Sequence, residues 1–105
     1  MELNYPDIYG WTVYTKSDCV FCDSAKKLLS ELGETLNIID CDDVLKTKYI
    51  KAKFLEHMKQ LIGKEYKTFP MIFKDNIFIG GYQDLDYYIK KQPEYKYKNI
   101  IIDTI

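Results

Sequence analysis

Residues 14–29, "YTKSDCVFCDSAKKLL", place two cysteines three positions apart at a junction between two kinds of pattern. Upstream, "WTVYT" (11–15) is β-branched and aromatic and reads as a strand. Downstream, apolar residues fall at Phe21, Ala25, Leu28, Leu29 and Leu32, the spacing of one helix face, with Gly33 placed to stop it. Cys19 and Cys22 therefore sit where a strand turns into a helix. A redox pair, half of a metal site and two small core residues are the three readings to separate.

The remaining segments give the architecture. "TLNIID" (35–40) reads as a second strand, and Asp42 or Asp43 as the cap of a long helix. That helix carries Ile50, Phe54, Met58 and Leu61 on one side and ends near Gly63. "PMIF" and "IFIGG" flank "KDN", a hairpin with a tight turn, and a short helix with Leu85, Tyr88 and Ile89 ends before Pro93. The order β-α-β-α-β-β-α predicts an α/β sandwich with a small mixed sheet. Its first two strands are parallel across a helical crossover and its last two antiparallel. The tail "EYKYKNIIIDTI" (94–105) is atypically apolar for a chain end; packing on the same chain, pairing with a sheet edge and contact with a second molecule are its readings.

Composition bounds the function. At 105 residues, 47% hydrophobic and 30% charged, the chain suits one globular domain with a single core. Fifteen basic against sixteen acidic residues and no basic stripe speak against nucleic acid as a partner. No apolar run approaches the roughly 18 to 20 residues that cross a bilayer. The start, "MELNYPDIYG", lacks the basic and apolar regions of a signal peptide, so a cytoplasmic setting with reduced thiols is the expectation. Three cysteines make an odd number, unsuited to a secreted disulfide framework, and point a Cys-x-x-Cys toward catalysis or metal.

A structural zinc site lacks its second half, since no other Cys-x-x-Cys or His pair is present. His57 reads as a surface residue within the long helix, and Cys41 as structural. Thiol chemistry suits the junction better. With a helix beginning at Val20, Cys19 is the N-cap and Cys22 the N3 residue. A Cys19 thiolate then accepts from the N–H groups of Phe21 and Cys22 and gains from the helix dipole. Such sites lower a thiol from roughly 8.5 into the 3.5–7.5 range. Lys16 assists, while Asp18 and Asp23 oppose. Cys19 is then the exposed nucleophile, and Cys22, one turn deeper on the same face, the resolving thiol.

Three segments in order, "TKSDCVFC" (16–22 with Thr15), "TFP" (68–70) and "GGYQDL" (80–85), resemble the glutaredoxins over roughly residues 11–92. The resemblance implies a thioredoxin-like three-layer sandwich and a glutathione-dependent thiol–disulfide oxidoreductase that acts on protein disulfides and glutathionylated proteins. It implies Cys19 and Cys22 as the catalytic pair. It also implies a glutathione site built from Lys16, Phe21, Lys67, Thr68, Phe69, Pro70, Gln83 and Asp84. Pro70 is then cis, the Phe69 backbone pairs with the tripeptide, and the last helix's N-terminus holds the γ-glutamyl carboxylate.

Three departures from the family pattern stand out: Val20 and Phe21 in place of Pro-Tyr, Tyr66 and Lys67 in place of Gln-Arg, and the isoleucine-rich tail. Loss of the proline keeps open a second reading, a [2Fe–2S] cluster held by Cys19 and glutathione between two chains. Otherwise a monomer is expected, with dimerisation through the cluster or the tail as the alternative. A thioredoxin-type reductase served by a flavoenzyme fits less well, given "GGYQD" and the absence of Trp beside Cys19.

Overall fold

The computed structural model describes residues 4–92. It contains, in order, β1 (Trp11–Thr15), α1 (Val20–Leu32), β2 (Leu36–Asp40), α2 (Lys48–Ile62), β3 (Met71–Lys74), β4 (Ile77–Gly80) and α3 (Tyr82–Lys90), with a 3-10 turn at Asp43–Leu45. This is the β-α-β-α-β-β-α order of the sequence pattern. The four strands form one mixed sheet in the order β2-β1-β3-β4. β1 runs parallel to β2, with Trp11 opposite Leu36 and Thr15 opposite Asp40. It runs antiparallel to β3, with Tyr14 opposite Met71 and Val13 opposite Ile72. The readings of the tail, and of Pro93 as a stop, lie outside the described residues.

Side-chain alternation along β1 and β3 divides the interior into two cores. Trp11, Val13 and Ile72 face Ala25 and Leu29 of α1 and Leu85 and Ile89 of α3. Tyr14, Met71 and Phe73 face Phe54 and Met58 of α2. The sheet is thus the middle layer of three, α1 and α3 covering one face and α2 the other, as the thioredoxin-like architecture requires. Burying both faces of β1 explains why "WTVYT" lacks a polar side: all five residues are buried.

The hairpin between β3 and β4 turns on Asp75 and Asn76, both at positive φ (49° and 67°), the pattern of a type I′ turn. Helices α1 and α2 end at Gly33 and Gly63 in the left-handed conformation, as the pattern predicts.

Two local expectations are corrected. Neither Asp42 nor Asp43 caps the long helix. They enter the 3-10 turn instead, and Thr47 is the cap, its Oγ1 accepting from Ile50 N at 3.1 Å. Asp42 is occupied elsewhere, by Ser17. His57 is half-buried rather than a surface residue. Its Nε2–H donates to the Asn4 carbonyl at 3.0 Å and its ring meets Tyr5 edge-on at 4.9 Å, so it fastens the N-terminal segment to α2.

Replacing Thr47 by Ala leaves the Ile50 N–H without its side-chain acceptor. The loss should be about 1 kcal/mol of folding stability in urea titration, with an unchanged m-value. Asp43→Ala should change stability by less than about 0.5 kcal/mol, because that side chain caps nothing.

Candidate active site

The reactive pair lies where β1 ends. The chain leaves Thr15 through Lys16, Ser17 and Asp18, with Asp18 at φ +52°, and enters α1 at Val20. Cys19 is the N-cap in extended conformation (φ −133°, ψ 100°). The Cys22 N–H points at Cys19 Sγ from 3.2 Å, and Cys19 and Cys22 form a disulfide across this first turn, Cα to Cα 5.2 Å. Of the two N–H groups expected to serve Cys19, the one at Cys22 is the one seen to do so. Cys19 is half-buried while Cys22 is 0% exposed, so a nucleophile arriving from solvent meets Cys19 first.

The antiparallel pairing of β1 and β3 brings the second motif to this point. Cys19 Sγ lies 3.8 Å from the carbonyl oxygen of Phe69, fifty residues further along the chain. The Phe69–Pro70 peptide is cis, as the resemblance implies. Pro70 is buried, Phe69 half-buried with its ring stacked on Phe54 (6.1 Å), and Thr68 and Lys67 are exposed. Lys67 lines a cleft of about 310 Å³ with Tyr66, Glu65 and residues of α2 that include Leu55, Glu56 and Lys59.

The third motif is adjacent. Gly80 has φ +133°, and a Cβ there would collide with the Asp84 carboxylate, so only glycine fits. Gly81 caps α3; a Cβ on it would stand 3.1 Å from the Tyr66 hydroxyl and 3.8 Å from the Pro70 carbonyl. The cis-proline loop and the start of α3 therefore touch through a glycine. Asp84 accepts from Gly81 N at 3.0 Å, the ordinary capping contact, while Gln83 is exposed in the same first turn. Phe21, 55% exposed, stacks on Tyr82 with ring centroids 6.0 Å apart, which joins the first turn of α1 to the first turn of α3. All three motifs thus converge on one end of the sheet.

Asp42 and Tyr82 belong to this region although sequence reasoning gave neither a role there. Asp42 accepts from Ser17 N at 2.9 Å and from Ser17 Oγ, tying the loop before Cys19 to the segment after β2. The Ser17 hydroxyl, then the Ser17 N–H, hold its carboxyl below the usual range, with Lys16 adding to the effect. The signal was an aspartate that read equally well as a helix cap. Tyr82 lies inside the quoted "GGYQDL", but its partner Phe21 is sixty-one positions away.

Cys41 is buried on the α2 face, a free thiol 2% exposed. Burial first, and then the Asp40 charge, push it up to about 12. It is a core residue, as its sequence context suggested. Among the described residues no group of three His, Cys, Asp or Glu side chains is arranged to hold a metal ion. No helix among them is long and apolar enough to cross a membrane.

A three-layer fold with a Cys-x-x-Cys on a helix N-terminus, facing a cis-proline, defines a thioredoxin-like protein. The family model for Glutaredoxin matches residues 11–79. The chain is 39% identical to Glutaredoxin 1 of Rickettsia felis over 79 residues, covering 75% of this chain and 71% of that one. It is 36% identical over 75 residues to Glutaredoxin-2 of Schizosaccharomyces pombe, covering 71% of this chain and 63% of that protein. It spans 42% of the length of the rat mitochondrial Glutaredoxin-2, at 32% identity over 69% of this chain. Among solved structures, Glutaredoxin 1 of Francisella tularensis, complexed with cacodylate, superposes with TM-score 0.66 at 26% identity, covering 78% of this chain and 93% of that one. A buckwheat glutaredoxin–glutathione complex superposes with TM-score 0.58 at 25% identity, covering 73% and 64%. The chain belongs to the glutaredoxin family.

Two measurements check this site. The tie from Ser17 to Asp42 needs an ionised carboxylate whose value is lowered by folding. Its contribution is complete above about pH 4 and is lost as pH falls through the lowered value. Wild type should therefore lose more stability between about pH 4 and pH 2 than Asp42→Asn does, read by acid-induced unfolding. Cys41, raised by burial, should stay unmodified by iodoacetamide at neutral pH in the native reduced protein while Cys19 is alkylated. Its contribution to stability is full below the range of an ordinary thiol and declines as pH rises toward about 12.

Proposed function

We propose that the chain is a glutathione-dependent thiol–disulfide oxidoreductase in which Cys19 is the nucleophile and Cys22 the resolving thiol. The observation that carries the reading is the asymmetry of the pair. Cys19 is accessible, is served by a helix N–H and faces the Phe69 carbonyl, whereas Cys22 is fully buried one turn below. The buckwheat glutaredoxin–glutathione complex among the similar structures supports glutathione as the co-substrate.

With a glutathionylated protein, the Cys19 thiolate attacks the glutathione sulfur, the protein leaves as a thiolate and takes a proton, and Cys19 carries glutathione. A second glutathione thiolate attacks that sulfur, releasing glutathione disulfide and free Cys19. With a protein disulfide, Cys19 attacks one sulfur and Cys22 then attacks Cys19. This frees the reduced protein and leaves the Cys19–Cys22 bond, which two glutathiones reduce. The buried position of Cys22 keeps it from reacting first.

The remaining roles are those the family resemblance implies. Lys16, exposed beside the pair, and Lys67 attract glutathione's carboxylates, Lys67 as a point charge without a guanidinium's fork. The main chain of Thr68, Phe69 and cis-Pro70 runs beside Cys19 for strand-like pairing with the tripeptide. Gln83 and Asp84, in the first turn of α3, meet its γ-glutamyl end, where the helix N–H groups favour the carboxylate and Asp84 the ammonium. Phe21, exposed in the first turn of α1 and stacked on Tyr82, offers the ligand an apolar surface. A cytoplasmic setting, where glutathione is plentiful, suits this chemistry.

The second reading, a cluster carrier, has one observation in its favour: Val20 rather than proline follows Cys19, and is 77% exposed. Each chain offers one accessible cysteine, Cys19, so the other sulfur ligands of a cluster would have to come from glutathione and a second chain.

The test follows NADPH consumption with a glutathionylated model thiol, glutathione and glutathione reductase. Cys19→Ser should lower turnover by about a hundredfold or more, since a hydroxyl does not ionise in this range. Cys22→Ser should retain deglutathionylation and lose reduction of protein disulfides. Equal loss of both activities in Cys22→Ser would refute the assigned roles. No turnover in wild type, with iron and labile sulfide retained after anaerobic reconstitution, would favour the cluster reading.

A further inference from the structure

Thr15, the last residue of β1, is 4% exposed, and its Oγ1 is buried without a hydrogen-bond partner among the described residues. Buried hydroxyls are normally paired, and an unpaired one is costly. Its backbone has no freedom to correct this. The Thr15 carbonyl accepts from Cys41 N at 2.8 Å, and the residue lies in the parallel ladder opposite Asp40.

Position says which group the hydroxyl is kept for. Strand alternation puts Thr15 on the face of Trp11 and Val13, the side covered by α1 and α3. In the β1–β3 ladder Tyr14 is opposite Met71, so one step further Thr15 falls opposite cis-Pro70. Helix α1 covers this face through Ala25 and Leu29 and begins at Val20, five residues after Thr15; the buried member of its first turn is Cys22, 0% exposed. Val13, two residues earlier on the same face, shows that a β-branched apolar side chain fits this layer. At position 15 valine would fill nearly the same space and leave no orphan.

We propose that the Thr15 hydroxyl is a positioning residue for Cys22, donating a hydrogen bond to its sulfur once the Cys19–Cys22 disulfide is reduced. A disulfide sulfur is a poor acceptor, whereas a thiolate is a strong one. When a dithiol reductant supplies two electrons, the S–S bond breaks. Each cysteine then holds its sulfur as thiolate or takes one proton, and rotation about χ1 turns the Thr15 O–H to Cys22. The hydrogen bond exists in the reduced state alone, so it shifts the redox equilibrium toward the dithiol and stabilises Cys22 as the attacking thiolate. The role rests on the thiol-exchange reading above, but its measurement does not require glutathione.

The experiment equilibrates full-length wild type, Thr15→Val and Thr15→Ser in dithiothreitol redox buffers and counts free thiols by trapping and mass spectrometry. Thr15→Val should shift the equilibrium toward the disulfide by about fivefold, the order of one buried hydrogen bond, or roughly 20 mV for this two-electron couple. Thr15→Ser, which keeps the hydroxyl, should stay within about twofold of wild type. In thermal melts Thr15→Val should be at least as stable as wild type when oxidised and less stable when reduced. A Thr15→Val equilibrium equal to wild type, a shift of opposite sign, or equal shifts in both variants would overturn the proposal. So would equal stability losses in both redox states. If glutathione-coupled turnover fails while these shifts appear, the glutathione-dependent reading is wrong and the hydrogen bond from Thr15 to the reduced pair stands.

Discussion

In the antiparallel ladder of β1 and β3, Tyr14 lies opposite Met71, so two segments leave the sheet side by side. One runs from Thr15 into the Cys19 loop; the other runs from Tyr66 through cis-Pro70 into β3. Their adjacency is what places the Phe69 carbonyl 3.8 Å from Cys19 Sγ across fifty residues of sequence. Every other site contact is secondary to it. Gly81 can lie against Tyr66 and Pro70 because the β3–β4 hairpin returns the chain to the same end of the sheet. Phe21 reaches Tyr82 because α1 and α3 cover the same face. A one-residue slip between β1 and β3 would turn both cores inside out, so packing of Val13 and Ile72 on one face and Tyr14 and Phe73 on the other holds this register.

Stabilisation of a Cys19 thiolate rests on backbone dipoles more than on side-chain charge. Asp23, one residue past Cys22, pairs with Lys26 at 3.6 Å in an exposed, weak contact. Lys16 is drawn into the field of Asp42, whose carboxylate it helps keep ionised. The contact that the helix makes with the Cys19 sulfur is the Cys22 N–H, and the α1 dipole acts in the same direction.

The fold was legible because each element carried its own local signal. Five buried residues in β1, a helical stripe from Phe21 to Leu32, and a two-residue turn between apolar pairs do not depend on distant contacts. The Cys19 N-cap was equally readable, since Cys22 at N3 follows from counting three residues. What escaped was settled by competition or by distance. Asp42 and Asp43 stood where a cap was needed, but Asp42 had a better use in Ser17, so the helix began later, at Thr47. His57 read as exposed because nothing in its own helix announces that Asn4 and Tyr5 cover it. Tyr66 was legible as a departure from the family pattern, while its contact with Gly81 needed the hairpin to be folded.

The three cysteines show how position gives one residue type three behaviours. Cys41 is buried on the α2 face beside Asp40, and burial and that charge together keep its thiol neutral and inert. Cys22 is buried as completely, yet the helical offset of three places it within bonding reach of Cys19, so its only approach to solvent chemistry runs through that partner. Cys19 alone combines access with a helix N–H. If Cys22 is the resolving thiol proposed above, it must become an anion in a buried place, which calls for a hydrogen-bond donor. The Cys22 N–H is already turned to Cys19, and the side chains lining that layer of β1 are apolar apart from Thr15. On the proposal above, the Thr15 hydroxyl, buried at the end of β1 without a partner among the described residues, is the donor that separates Cys22 from an inert cysteine.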